Sequence, residues 1–156
     1  MKCQVLPTVD EDVAMKGGFD RSKSLQELEQ HDWGEPTYQS SLVTTCHRLR
    51  RKPLNQFTVE DLRIMIGQQI SLPILVPLAV ERLESEPLAE GDYYPGDLLA
   101  VVLKVDETFW TSHSDAFQRV RRVVGRVRDS LSSLDEITSP TVQKLLEDAP
   151  RSLTSM

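Results

Sequence analysis

The chain has 156 residues with 18 Lys and Arg against 24 Asp and Glu, a formal charge of −6, and 39% apolar but only 6% aromatic residues. That length fits a single domain able to bury a core without metal or disulfide staples, and the acid excess argues against direct nucleic-acid binding, which needs a cationic face. Two cysteines make neither a disulfide framework nor a zinc spacing, and no stretch matches a secretory leader or the roughly 18 apolar residues of a membrane span, so a cytoplasmic chain without membrane contact is expected.

Residues 1–23 mix charge with Pro7, Gly17 and Gly18 and read as an extended or loosely docked arm, in which QVLPTV suits a short edge strand. From Ser24 the signals become helical. Ser24 and Glu27 have the capping-box spacing, Leu25 and Leu28 share a face, and a short helix is predicted to end near His31. HDWGEPTY at 31–38 then reads as a bend: Gly34 admits an unusual backbone angle, Pro36 restricts Glu35, and Trp33 packs its ring against neighbouring helices in preference to meeting a partner.

Leu42, Val43, Cys46 and Leu49 fall on one side at about 100° per residue, predicting a second helix. Arg48, Arg50, Arg51 and Lys52 sit at its carboxyl end, where cations suit the helix dipole, and Pro53 stops it. Thr58 and Asp61 repeat a cap spacing ahead of Val59, Leu62, Ile66 and Ile70, until Gly67 weakens the register. A further helix restarts at Ser71 and Pro73 with Leu75, Leu78, Ala79 and Leu83 inward. Pro77 lacks an N–H there and crowds the carbonyl of Pro73, which predicts an irregular first turn or a start nearer Val76.

ESEPLAEGDYYPGD is a loop by its Pro and Gly content, and PGDLLAVVLKV, though readable as a buried strand, is favoured as helix. Asp106 caps a short turn bearing Phe109 and Trp110. Ser114 opens the longest helix, whose stripe of Phe117, Val120, Val124, Val127, Leu131 and Leu134 forms one wall of the core. Ser139 and Pro140 start a last helix with Val142, Leu145 and Leu146 inward, Pro150 ends it, and 151–156 reads as a frayed tail. The sum is a mainly α, compact single-domain bundle of about six to seven helices over 24–150.

Chemistry-bearing motifs are sparse. His31, His47 and His113 fit no metal or protease spacing, and in TCH at 45–47 helical geometry turns Cys46 inward and His47 outward. Gly17 and Gly18 lack the lysine and helix of a phosphate loop, so no cofactor is expected. Arg119, Arg121, Arg122, Arg126 and Arg128 spread around the polar side of the long helix as a solvated face. Acid, by contrast, is concentrated between Glu81 and Glu107. Within that stretch Glu84, Glu86, Glu90, Asp92, Tyr93, Tyr94 and Asp97 form the candidate partner-binding set, the rings as rigid anchors and the acids steering a basic partner. The competing reading packs both tyrosines down as loop anchors.

From Ser24 to about Trp110 the chain carries, in order, LEQHDWGEPTY, CHRLRRKPL, FTVEDLRIMIGQ and LAEGDYYPGDLL. On these pieces it resembles the CdiI type of contact-dependent growth inhibition immunity proteins. The resemblance implies a cytoplasmic antidote, not an enzyme, that binds and blocks the C-terminal toxin domain of its own delivery protein by stoichiometric occlusion. Such toxins are often nucleases, many acting on tRNA. The alternative from a different class is a helical adaptor or regulatory module unrelated to toxins, using Arg119, Arg122 and Arg126; a small hydrolase using the clustered acids is a third.

Overall fold

The computed structural model describes residues 19–154, and the expected QVLPTV strand lies outside them. Among the described residues the fold is mainly α with no sheet, only isolated bridges between Ser24 and Pro53 and between Glu90 and Pro95. Helix α1 (Leu25–Glu29) starts on the predicted capping box, Ser24 accepting from the Glu27 N–H while Glu27 accepts from the Ser24 N–H. Gln30 closes it at φ 52, in the left-handed region. The segment before Ser24, expected to dock loosely, is anchored over 19–23: Phe19 is buried, and the carbonyls of Arg21 and Lys23 accept from Asn55 and Leu54.

Helix α2 (Ser41–Arg50) buries Cys46 and Leu49 as expected, but Leu42 is exposed, because it lies in the first turn before the helix meets the core. Helix α3 (Val59–Gly67) begins on a second capping box, Thr58 with Asp61, and ends at Gly67. Lys52 Nζ, 2.5 Å from Asp61 Oδ2, ties the end of α2 to that cap.

Helix α4 (Leu72–Ser85) starts at Leu72, ahead of the alternative start expected near Val76, and carries Pro77 inside it. Ile74, Leu75, Val76 and Pro77 are all buried, so apolar burial over a full turn outweighs the roughly 3 kcal/mol that an interior proline costs. Helices α5 (Asp97–Leu103), α6 (Glu107–Ser112) and α7 (Ser114–Ser130) follow. The ambiguous apolar run is therefore helix. The predicted stripe holds on α7 for Val120, Val124 and Val127, joined by Val123; Leu131 and Leu134 fall in and just after a 3-10 turn and are partly buried.

Helix α8 (Thr138–Asp148) buries Val142 and Leu145. In place of a frayed end, Arg151–Thr154 form helix α9, with Leu153 buried and the Thr154 carbonyl accepting from Arg128 of α7. Leucine at 153 supplies the apolar contact that a loose tail would lack. One core results. The buried Leu62, Met65 and Ile66 of α3 and Leu98, Leu99 and Val102 of α5 belong to it, and α3 packs against α5 while α4 packs against α7.

Candidate protein-binding face

Residues 86–96 leave the end of α4 and return to the start of α5, and their shape follows from where the amides go. Ala89 N–H bonds Glu86 O, Gly96 N–H bonds Leu88 O at 3.2 Å, and the bridge between Glu90 and Pro95 narrows the neck. Pro95 and the left-handed Gly96, at φ 93, turn the chain into α5. Two carboxylates from outside the loop take the amides at its tip. Asp97 accepts from Gly91 N–H at 2.6 Å and Tyr93 N–H at 3.2 Å; Glu60 of α3 accepts from Asp92 N–H at 2.9 Å.

Arg63 completes this corner. It donates twice to Glu60, at 2.7 Å through Nε, and its guanidinium carbon stands 4.5 Å from the centre of the Tyr93 ring. The Arg63 hydrogen bond, followed by the Asp92 amide, holds the Glu60 carboxyl below the usual glutamate range against the opposing effect of burial. A Cβ at Gly91 would overlap Glu60 Oε2 and stand 3.0 Å from Asp97 Oδ2, so a larger residue there would have to displace the Glu60 carboxylate from the loop amide it accepts from.

The predicted set is thus divided. Glu86, Glu90, Asp92, Tyr93 and Tyr94 are exposed on this loop, Tyr93 to 70% and Tyr94 to 37%. Tyr93 stands largely clear of the fold with its ring over Arg63, whereas Tyr94 is only partly exposed. Asp97 is only 2% exposed: both its oxygens accept from the loop backbone and Oδ2 lies 3.9 Å from Arg63 Nε, so its side chain is turned into this corner and away from solvent. Glu84 is engaged by Arg119 of α7, whose fork holds its carboxyl below the usual range, and its own carbonyl accepts from Arg126 at 2.7 Å. Glu81 is likewise paired with Arg21.

The sequence therefore overstates the free acid in this region, and Arg119 and Arg126 are partly committed within the molecule. Glu60 and Arg63 were missed. Their three-residue spacing on a helix was a readable pair, but nothing local announced that α3 would carry them beneath a loop some thirty residues on.

The other motifs are structural. Gly34 takes φ 70 and donates to Asp32; its carbonyl accepts from Arg51 at 3.2 Å and lies 3.2 Å from His47 Nδ1. Trp33 is half-buried, edge-on to His47 at 5.1 Å with the Arg50 guanidinium 4.4 Å from its centroid, so the bend packs one ring onto α2 as expected. His113 stacks on Phe109 at 3.9 Å. Among the described residues no three His, Cys, Asp or Glu side chains group as a metal site requires, and no helix is long and apolar enough to cross a membrane.

Compared with known proteins, residues 27–120 match the family model described as CDI immunity proteins. That stretch includes the loop together with Glu60, Arg63 and Asp97. No curated protein and no solved structure matches the chain.

Proposed function

Because the chain belongs to the family of CDI immunity proteins, we propose that it neutralises the C-terminal toxin domain of its own contact-dependent growth inhibition system, a nuclease, through stoichiometric occlusion in the cytoplasm and without turnover. The observation that carries the contact surface is the exposed pairing of Tyr93 and Tyr94 with Glu86, Glu90 and Asp92 on an anchored loop. Rigid amphipathic rings are what binding hot spots use, and the flanking carboxylates complement the Lys- and Arg-lined cleft that a nuclease presents to phosphate. The antidote itself needs no reactive group, only a surface that stays in place.

Titration of the purified chain against the C-terminal domain of the exoprotein encoded upstream should give one-to-one binding and loss of nuclease activity. Tyr93→Ala and Asp92→Lys should each weaken it, with Asp92→Lys acting mainly on the association rate and less at high salt. Failure of that domain to bind, or multiple-turnover hydrolysis by the chain alone, would falsify this reading.

A further inference from the structure

The loop tip is tied to α3 and α5 by side-chain acceptors from both. The contact of α3 with α5 is mainly apolar, with Arg63 Nε 3.9 Å from Asp97 Oδ2 at its edge, and two carboxylates there are turned onto three successive amides, Gly91, Asp92 and Tyr93, of a segment whose Asp92 and Tyr93 side chains face outward. We propose that Asp97 and Glu60 are positioning residues for partner binding: they fix residues 91–93 in the binding shape before the partner arrives, and Arg63, held by Glu60, sets the orientation of the Tyr93 ring. This deepens, and rests on, the assignment of this loop as the contact surface.

The chemistry is that of preorganisation. An eleven-residue segment with a 70% exposed tyrosine would otherwise sample many shapes, and a partner selecting one of them would bind more weakly in proportion to its population. Each acceptor is needed. Asp97 is a single side chain serving two N–H groups, 2.6 and 3.2 Å from its two oxygens, so an amide in its place leaves one N–H without an acceptor. Glu60 serves the third amide and the Arg63 fork with the same carboxylate. Steering by charge is a separate effect, because Asp97 is almost fully buried while Asp92 is exposed.

The test uses the full chain with Asp97→Asn, Glu60→Gln, and Glu60→Asp as the conservative variant, first without any partner. Amide hydrogen exchange by NMR should rise about tenfold or more at residues 91–93, while core amides such as those of Leu49 and Val124 keep their protection. Unchanged exchange at the tip would overturn the clamp, and so would a rise spread equally over the core, which marks simple destabilisation. Binding is then measured against the upstream-encoded C-terminal domain at low and high salt. Asp97→Asn should weaken it about tenfold at both, whereas the loss from Asp92→Asn should shrink with salt.

If Tyr93→Ala weakens binding and Asp97→Asn does not, the positioning role fails while the contact surface stands. If neither Tyr93→Ala nor Asp92→Asn has an effect although the tip has loosened, the contact surface itself is wrong, and the positioning role falls with it.

Discussion

Arg50 is the residue whose environment departs furthest from its setting in the sequence. Among four basic residues closing α2, it reads as a solvated charge favouring the helix dipole, yet it is 1% exposed. Its guanidinium donates to Glu29 and, at 2.7 Å, to the carbonyl of His31, while the single Ser71 hydroxyl proton is shared between the two Glu29 oxygens, 3.0 and 3.1 Å away. Ser71 consequently leaves the α4 amides without a side-chain cap and adopts φ 51. A buried ion pair adds little net stability over apolar packing, but removing one partner strands the other charge. Glu29→Ala should therefore cost about 3–5 kcal/mol in urea unfolding, and Glu29→Leu combined with Arg50→Met should recover most of that loss. An additive double variant would show that the two side chains are not coupled. Trp33, half-buried beneath Arg50, should lose less on truncation than the roughly 3–5 kcal/mol of a fully buried aromatic.

Element boundaries were legible wherever the deciding chemistry is local. Ser24 with Glu27 and Thr58 with Asp61 cap α1 and α3 as their spacing requires, because each box needs only residues three apart. Thr58→Ala should cost about 1 kcal/mol, read from the shift in denaturation midpoint, and the loss should grow when Lys52, which grips Asp61, is also removed. Features whose causes lie elsewhere in the chain escaped, Pro77 and Asp97 among them. Pro77 persists inside α4 because other elements bury the whole turn around it, and Asp97 turns inward because α3 brings Glu60 and Arg63 to the same corner. The contact loop was readable as a loop, and its exposed tyrosines as candidates. The division of its acids into free and committed was not, since that depends on long-range partners: Arg119 for Glu84 and the Gly91 and Tyr93 amides for Asp97.

At the scale of the molecule, the charge of −6 conceals a division of labour among carboxylates. Glu81 and Glu84 on α4 face Arg21 and Arg119, joining the N-terminal segment and α7 to one helix, and Glu60 with Arg63 secures the loop. Hydrogen bonds from these arginines depress all three carboxyls below the ordinary glutamate value of 4.5, with burial opposing. The sign follows directly. As pH falls, the unfolded chain takes up protons at these positions before the folded chain does, so their contribution is complete above pH 4.5 and disappears as pH drops through the depressed folded values. Glu81 and Glu84 are substantially exposed, so each pair is worth little at neutral pH, on the order of 0–1 kcal/mol, and less in salt. The melting temperature should hold near neutrality and fall below pH 4.5, more steeply in dilute buffer than in salt. Glu81→Gln with Glu84→Gln should flatten that acid limb while changing the neutral value only slightly, whereas a limb identical to that of the unaltered chain would mean that these glutamates titrate alike folded and unfolded.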